Sequence, residues 1–188
     1  MRYLKERGLK GVRLFTSDKC LGLVESLADF YPEAAWQRCI VHFYRNVFSA
    51  TPHGKMGKVA AMLKAIHAQE DKDAAVEKAE KIKEKLKTMK LNKAEKILSD
   101  GLEETLSYYQ FPSEHWIKTR TNNPLERIMR EIRRRTRVVG NFPDGHSALM
   151  LVAARLRHIS GTKWGLRRYM KMDNLYQVEC LDHESALA

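Results

Sequence analysis

From residue 55 to residue 107 the chain has no proline and, beyond position 57, a single glycine, while Lys, Glu and Ala dominate. Such a stretch lacks the punctuation that strands and tight turns need. Val76, Ala79, Ile82, Leu86 and Met89 fall on one helical stripe. The block therefore reads as all-helical, with its charged residues forming a solvated face. The residues before it differ. Gly8 and Gly11 frame a turn, and Val12 to Phe15 is a short β-prone run ending at Thr16-Ser17-Asp18, which puts Asp18 just past the C-terminal end of a strand. Leu21, Val24, Leu27 and Phe30 recur at helical spacing, and Pro32 stops the run. Ala34 to Cys39 reads as a second short strand leading into a helix through His42 to Val47. The first fifty residues thus have α/β character.

A Pro- and aromatic-rich loop, Tyr108 to Trp116, closes the helical block, and the charge gathers after it. Between Lys118 and Arg137 stand eight bases (Lys118, Arg120, Arg127, Arg130, Arg133, Arg134, Arg135, Arg137) against Glu126 and Glu131, a local net charge of +6. Asn122 or Asn123 is suited to cap a helix whose first position is Pro124, which puts Glu126 in the first turn. After the loop from Gly140 to Gly145, Ala148 to Ile159 forms another apolar helix with Arg155, Arg157 and His158 near its end. The chain is thereby divided into residues 1–50, 51–115, 116–172 and a weakly patterned tail, 173–188, to which no function attaches.

The whole chain of 188 residues carries 34 Lys and Arg against 23 Asp and Glu, net +11, an excess expected of a protein that faces a polyanion. No run approaches the roughly 18 consecutive apolar residues that span a bilayer, and the N-terminus lacks a signal-peptide pattern. A soluble cytoplasmic protein is expected, with no membrane partner. Cys20, Cys39 and Cys180 are odd in number and irregularly spaced, which argues against a disulfide framework. Cys39 and His42 form a Cys-x-x-His unit, but His53 and His67 do not complete the second close pair usual in zinc sites.

Two features can carry chemistry. An acid after a strand (Asp18) and an acid at the start of an arginine-rich helix (Glu126) are oxygen ligands of the kind Mg²⁺ prefers, and two such ions stabilise both oxygens of an in-line displacement at phosphorus. Acids are also common at both positions for structural reasons, so spacing alone leaves both readings open. The cluster of Arg120, Asn122, Arg127, Arg130, Arg133, Arg134, Arg135 and Arg137 can supply phosphate contacts that give affinity and register without reading sequence. The alternative is a solvated basic helix. Aromatics interleaved with the bases, as single-stranded RNA recognition would want, are missing from it.

Thr16-Ser17-Asp18, Gly22-Leu23, Pro32, Trp36-Gln37-Arg38-Cys39, His42 and Arg45-Asn46 together resemble the second-aspartate region of Mutator-type transposases. Arg120-Thr121-Asn122-Asn123-Pro124-Leu125-Glu126-Arg127, followed by Arg130, Glu131, Arg133 to Arg135, Val138-Val139-Gly140 and Phe142-Pro143, resembles that family's glutamate region. The helical insertion, and Trp164 with Arg168-Tyr169 near the end, extend the resemblance over nearly the whole chain.

The resemblance implies a helix-rich α/β chain: a partial ribonuclease H-like fold interrupted by an all-helical insertion, whose Asp, Asp and Glu hold two Mg²⁺ ions, with Mn²⁺ as a substitute. It implies strand cleavage at transposon ends and attack of the freed 3′ hydroxyl on target DNA, by a nucleoid-associated homo-oligomer on double-stranded DNA. Asp18 matches the second aspartate and Glu126 the glutamate. Cys39 and His42 match a signature expected to shape the site or contact DNA beside it. The family's first aspartate and its end-recognition domain find no match here, and Asp29, on the helix after the strand, cannot substitute. A truncated transposase with little or no activity alone is therefore expected, or else a non-enzymatic DNA-binding and dimerisation module. Lys19, directly after Asp18, is a local oddity, because its charge competes with a cation.

Overall fold

The structure, a computed structural model, describes residues 1–173; Cys180 and the tail from residue 174 lie outside them. The described chain is helix-rich with one small parallel sheet, broadly α/β, and divides into two compact units, Met1–Thr121 and a second that begins at Asn122.

The first unit opens with a short helix, α1 (Arg2–Glu6), for which the sequence carries no clear signal. Gly8 and Gly11 take positive φ values of +86° and +65°, conformations strained for any residue with a Cβ, and turn the chain into β1 (Leu14–Ser17). Helix α2 (Leu21–Phe30) has the bounds its periodicity predicts. It returns the chain to β2 (Ala35–Arg38), which pairs parallel to β1 with Leu14 opposite Ala35 and Ser17 opposite Arg38. Of the apolar face expected on α2 only Leu27 is buried, and Leu21 is 67% exposed. Two strands lie only about 5 Å apart, a platform too narrow for the whole helix.

Helix α3 (Ile40–Ser49) follows β2 and joins the helical block of α4 (Met56–Ile66), α5 (Lys72–Thr88) and α6 (Asn92–Gly101). The main core lies here. Phe43 and Val47 of α3 pack with Val59, Leu63 and Ile66 of α4, Ala75, Ala79, Ile82 and Leu86 of α5, and Ala94 and Leu98 of α6. The expected stripe on α5 is present with one adjustment: Ala75 joins the buried face, and Val76 and Met89 pack at its edge. Asp71 caps α5 by accepting from the Ala74 amide at 2.7 Å. Its outer face carries the pairs Glu77–Lys81, Glu80–Lys83 and Glu84–Lys87, the solvated pattern the composition predicts. Short 3₁₀ turns at Glu103–Thr105, Ser107–Gln110 and Ser113–His115 lead to α7 (Trp116–Thr119).

The second unit is a pair of helices, α8 (Asn123–Val139) and α9 (Gly145–Ser160). Asp144 caps α9 through the Ser147 amide at 2.6 Å. The Glu131 carboxylate joins the helices, accepting from Arg155 at 2.7 Å while Arg134 of its own helix lies at 3.2 Å. These two guanidiniums, Arg155 first, hold the Glu131 carboxyl below its usual range. None of the described helices is long and apolar enough to cross a membrane.

One buried group makes the first unit sensitive to acid. His67 is 4% exposed, with Nε2 3.0 Å from the Thr105 hydroxyl and Nδ1 2.8 Å from the Tyr44 hydroxyl. The Thr105 hydroxyl donates to the Leu102 carbonyl at 2.6 Å and so accepts from Nε2–H, which places a proton on that nitrogen. Burial pushes the His67 pKa down to about 4, with the Leu63 carbonyl opposing and the Arg120 charge assisting. Above pH 6.5 His67 is neutral whether folded or unfolded. As pH falls below 6.5 only the unfolded chain takes up the proton, so stability drops until pH passes about 4 and then levels off. Urea unfolding at pH 7 and pH 4 is expected to show about 3 kcal/mol of this loss, and His67→Gln should flatten the dependence by that amount. An unchanged pH profile in His67→Gln would contradict the assignment.

Candidate functional site

Parallel strands bring their carboxyl ends to one edge, the usual place for ligands in open α/β sheets. Here that edge carries Asp18, Arg38 and Cys39. The backbone fixes it tightly: the Cys39 amide donates to the Ser17 carbonyl at 2.7 Å, one step beyond the strand pairing. The Ser17 hydroxyl accepts from the Trp36 indole at 2.9 Å and donates to the Asp18 carbonyl at 2.9 Å. Asp18 itself is exposed, and its Oδ1 accepts from the Lys19 amide at 2.8 Å.

Beside Asp18 lies a charge cluster that the sequence does not advertise. Glu104, in the turn that ends the helical block, accepts from Lys19 Nζ at 2.5 Å through one oxygen and from Arg38 Nη1 at 3.0 Å through the other. Arg38 is only 6% exposed, and its guanidinium lies 5.1 Å over the Phe43 ring. Gly101 makes room for it: a Cβ there would meet Arg38 Nη1 at 2.6 Å and the Phe43 ring at 2.9 Å. Glu104 is 85 positions from Lys19 and adjoins Glu103 in an acidic, helix-forming context, so no local rule couples them.

Cys39 is fully buried at the N-cap of α3 and His42 lies half-buried in its first turn, so the Cys-x-x-His unit sits directly behind the carboxyl edge. Residues 119–120 are laced to the same region. The Thr16 hydroxyl donates to the Thr119 carbonyl at 2.5 Å, and the Ile40 amide donates to the Arg120 carbonyl at 3.1 Å. The Arg120 guanidinium donates to the His67 carbonyl at 2.8 Å and lies 6.0 Å over the Tyr108 ring.

In the second unit Glu126 lies in the first turn of α8, half-buried, its amide donating to the Asn122 carbonyl at 3.1 Å. The helix starts one residue earlier than the sequence suggests. Asn122 is the N-cap, with no side-chain capping bond, and Pro124 takes the second position, where a missing amide hydrogen is equally harmless. No residue of α8 is buried, and Arg127, Arg130, Arg133, Arg134, Arg135 and Arg137 are all exposed. Arg127, Arg130, Arg134 and Arg137 follow i, i+3, i+7, i+10 spacing and form one stripe about 15 Å long. Arg127 lies 4.6 Å over the Trp164 ring, and Arg134 pairs with Glu131. Among the described residues no ion pair engages Arg130, Arg133, Arg135 or Arg137.

Asp18 offers a hard, exposed oxygen donor of the type Mg²⁺ takes, and it fits that ion in kind. Among the described residues no group of three or more His, Cys, Asp or Glu is gathered that could hold a metal ion. Among the described residues the Cys39 and His42 pair gathers no further ligands of the zinc type.

The family model described as "Transposase, Mutator family" matches residues 1–164. The chain is 38% identical over 174 residues to the transposase for insertion sequence element IS1081 of Mycobacterium tuberculosis, an alignment covering 93% of this chain and 42% of that protein. It is 37% identical over 173 residues to the ISRM5 transposase of Rhizobium meliloti (92% and 43%). With the transposase for IS256 in transposon Tn4001 of Staphylococcus aureus it shares 34% identity over 174 residues (91% and 44%). The chain therefore spans about two fifths of the length of these curated relatives.

The packing around Arg38 is open to a direct check. Gly101→Ala must displace a buried, doubly held guanidinium, and a loss of about 1–3 kcal/mol is expected, seen as a melting temperature lower by several degrees. An unchanged melting temperature would show that Gly101 is not needed to seat Arg38.

Proposed function

Because the chain belongs to the Mutator family of transposases, we propose that it is part of a DNA transposase catalytic region with a ribonuclease H-like core, and that Asp18 and Glu126 are two of the acids holding Mg²⁺ or Mn²⁺ in it. The bound metal would activate the attacking oxygen and neutralise charge on the phosphate and leaving oxygen. The chain's own residues then have separable tasks. Asp18 presents a carboxylate at the carboxyl edge of the sheet, fixed by the hydrogen bonds around Ser17. Glu126 presents a second from the first turn of α8. The Arg127 to Arg137 stripe grips DNA phosphates and holds the strand in register for cleavage and for attack by the freed 3′ hydroxyl. Asn122 adds a polar contact at the start of the same helix, and the buried Cys39 with His42 shapes the floor of the edge. Such a protein works on transposon ends and target DNA at the nucleoid.

The observation that carries this reading is the exposed Asp18 at the shared carboxyl end of two parallel strands, in a chain that also bears an exposed arginine stripe. A non-enzymatic DNA-binding and dimerisation module is the second reading. It is favoured by the apolar side chains that the second unit exposes, among them Leu125, Met129, Leu149, Met150 and Leu156.

Fluorescence anisotropy of the chain on duplex DNA should show affinity falling steeply with salt. Replacing Arg130, Arg134 and Arg137 by Gln should reduce the slope of log K against log salt by about 3, close to one for each phosphate that is no longer neutralised. A slope that does not change removes the stripe from the DNA interface. Nicking of labelled duplex with Mg²⁺ or Mn²⁺, abolished in Asp18→Ala and Glu126→Ala, supports the catalytic reading. Salt-sensitive binding with no cleavage, even when the remaining portion of a full-length relative is added, favours the module.

A further inference from the structure

Lys19 is a problem for the function proposed above, because an ammonium next to a metal ligand repels the ion it should hold. The structure contains the remedy. Lys19 Nζ is drawn onto Glu104 at 2.5 Å, and Glu104 is itself fixed by the buried Arg38 at 3.0 Å. Arg38 is seated by the Phe43 ring and by the space at Gly101, so the carboxylate has a firm second anchor. Lys19 contributes only its backbone amide to Asp18 Oδ1, while its charge is engaged elsewhere.

We propose that Glu104 is a positioning residue for the metal site: it holds the Lys19 ammonium away from Asp18 and balances the charge of the carboxyl edge, so that Asp18 can accept a divalent cation. The inference rests on the reading of Asp18 as a metal ligand. Asp18, Lys19, Arg38 and Glu104 sum to zero charge. Without Glu104 they sum to +1, with a lysine one residue from Asp18 and no longer tethered. A unit charge acting on a divalent ion about 7 Å away in a largely aqueous setting changes its affinity roughly five-fold to ten-fold. The helical block thereby acts on a site 85 positions away in sequence without touching substrate.

The test is Mn²⁺ titration of the full 188-residue chain, read as paramagnetic broadening of amide NMR resonances. Wild-type chain should lose the resonances of Ser17 to Cys20 first. Asp18→Asn should abolish that local broadening; if it does not, Asp18 is not a ligand and the metal reading itself fails, separately from the role of Glu104. Glu104→Gln should raise the Mn²⁺ concentration for half-broadening roughly five-fold or more. The double variant Lys19→Gln/Glu104→Gln should return to within about two-fold of wild type, because the freed charge is gone. If Glu104→Gln binds Mn²⁺ as well as wild type while Asp18→Asn does not bind, the proposal is overturned. It is also overturned if the double variant stays as weak as the single one, since the effect would then come from Arg38 packing or from direct ligation by Glu104.

Discussion

The buried amide of Gln37 is the interaction on which the first unit depends. Its Nε2 donates to the Arg38 carbonyl at 2.7 Å and to the Thr105 carbonyl at 2.9 Å, and its Oε1 accepts from the Tyr108 amide at 2.9 Å. The side chain is fully enclosed. A two-stranded sheet is marginal by itself and needs another element to complete it. Here the turns that close the helical block supply it, with Gln37 and the Ser107 hydroxyl on the Trp36 carbonyl at 2.7 Å standing in for a strand's ladder. Leaving any of these buried groups unpaired costs about 1–3 kcal/mol, so sheet and block are bound to each other. Arg38 is placed beside Glu104 because Gln37, its neighbour in β2, is pinned to the turn that carries Glu104.

This dependence lets the helical block position the carboxyl edge of the sheet. Its core of α3 to α6 includes the helix that Cys39 caps, directly behind the carboxyl edge. Glu104 and Thr105 extend from its end toward the strands, and Arg120 ties the last residues of the unit to His67 within it. Arg120 thus differs from the other arginines of the basic run. Its guanidinium is held by a carbonyl of the helical block, whereas those of α8 are spread along an exposed helix. The first arrangement fixes geometry and the second presents charge to solvent.

Periodicity and punctuation made much of this legible. The bounds of α2, the place of Asp18 after a strand, the helical block and Glu126 in a first turn all follow from local rules. Local rules failed where the reason is tertiary. Leu21 has the spacing of a core residue but lies beyond the reach of a two-stranded platform. Glu104 looks like one more solvated acid until the fold brings Lys19 and Arg38 to it. Gly101 looks like a helix terminator, yet its lack of a side chain is what seats Arg38. Gln37 lay within the motif that carried the family resemblance, but nothing in its neighbours marks it as a buried hub. The family itself was readable because two long motifs stand in order, and the match to residues 1–164 agrees with that reading.

The proposal that Asp18 and Glu126 are both metal ligands is tested most directly by adding DNA and Fe²⁺ in place of Mg²⁺ to the chain and letting ascorbate and peroxide cut the polypeptide wherever the ion sits. The account predicts cuts clustered at two places, around Ser17 to Lys19 and around Leu125 to Arg127, both suppressed by excess Mg²⁺ and both abolished in Asp18→Asn. Cuts at neither place, or cuts at one that persist when the other acid is removed, would contradict it.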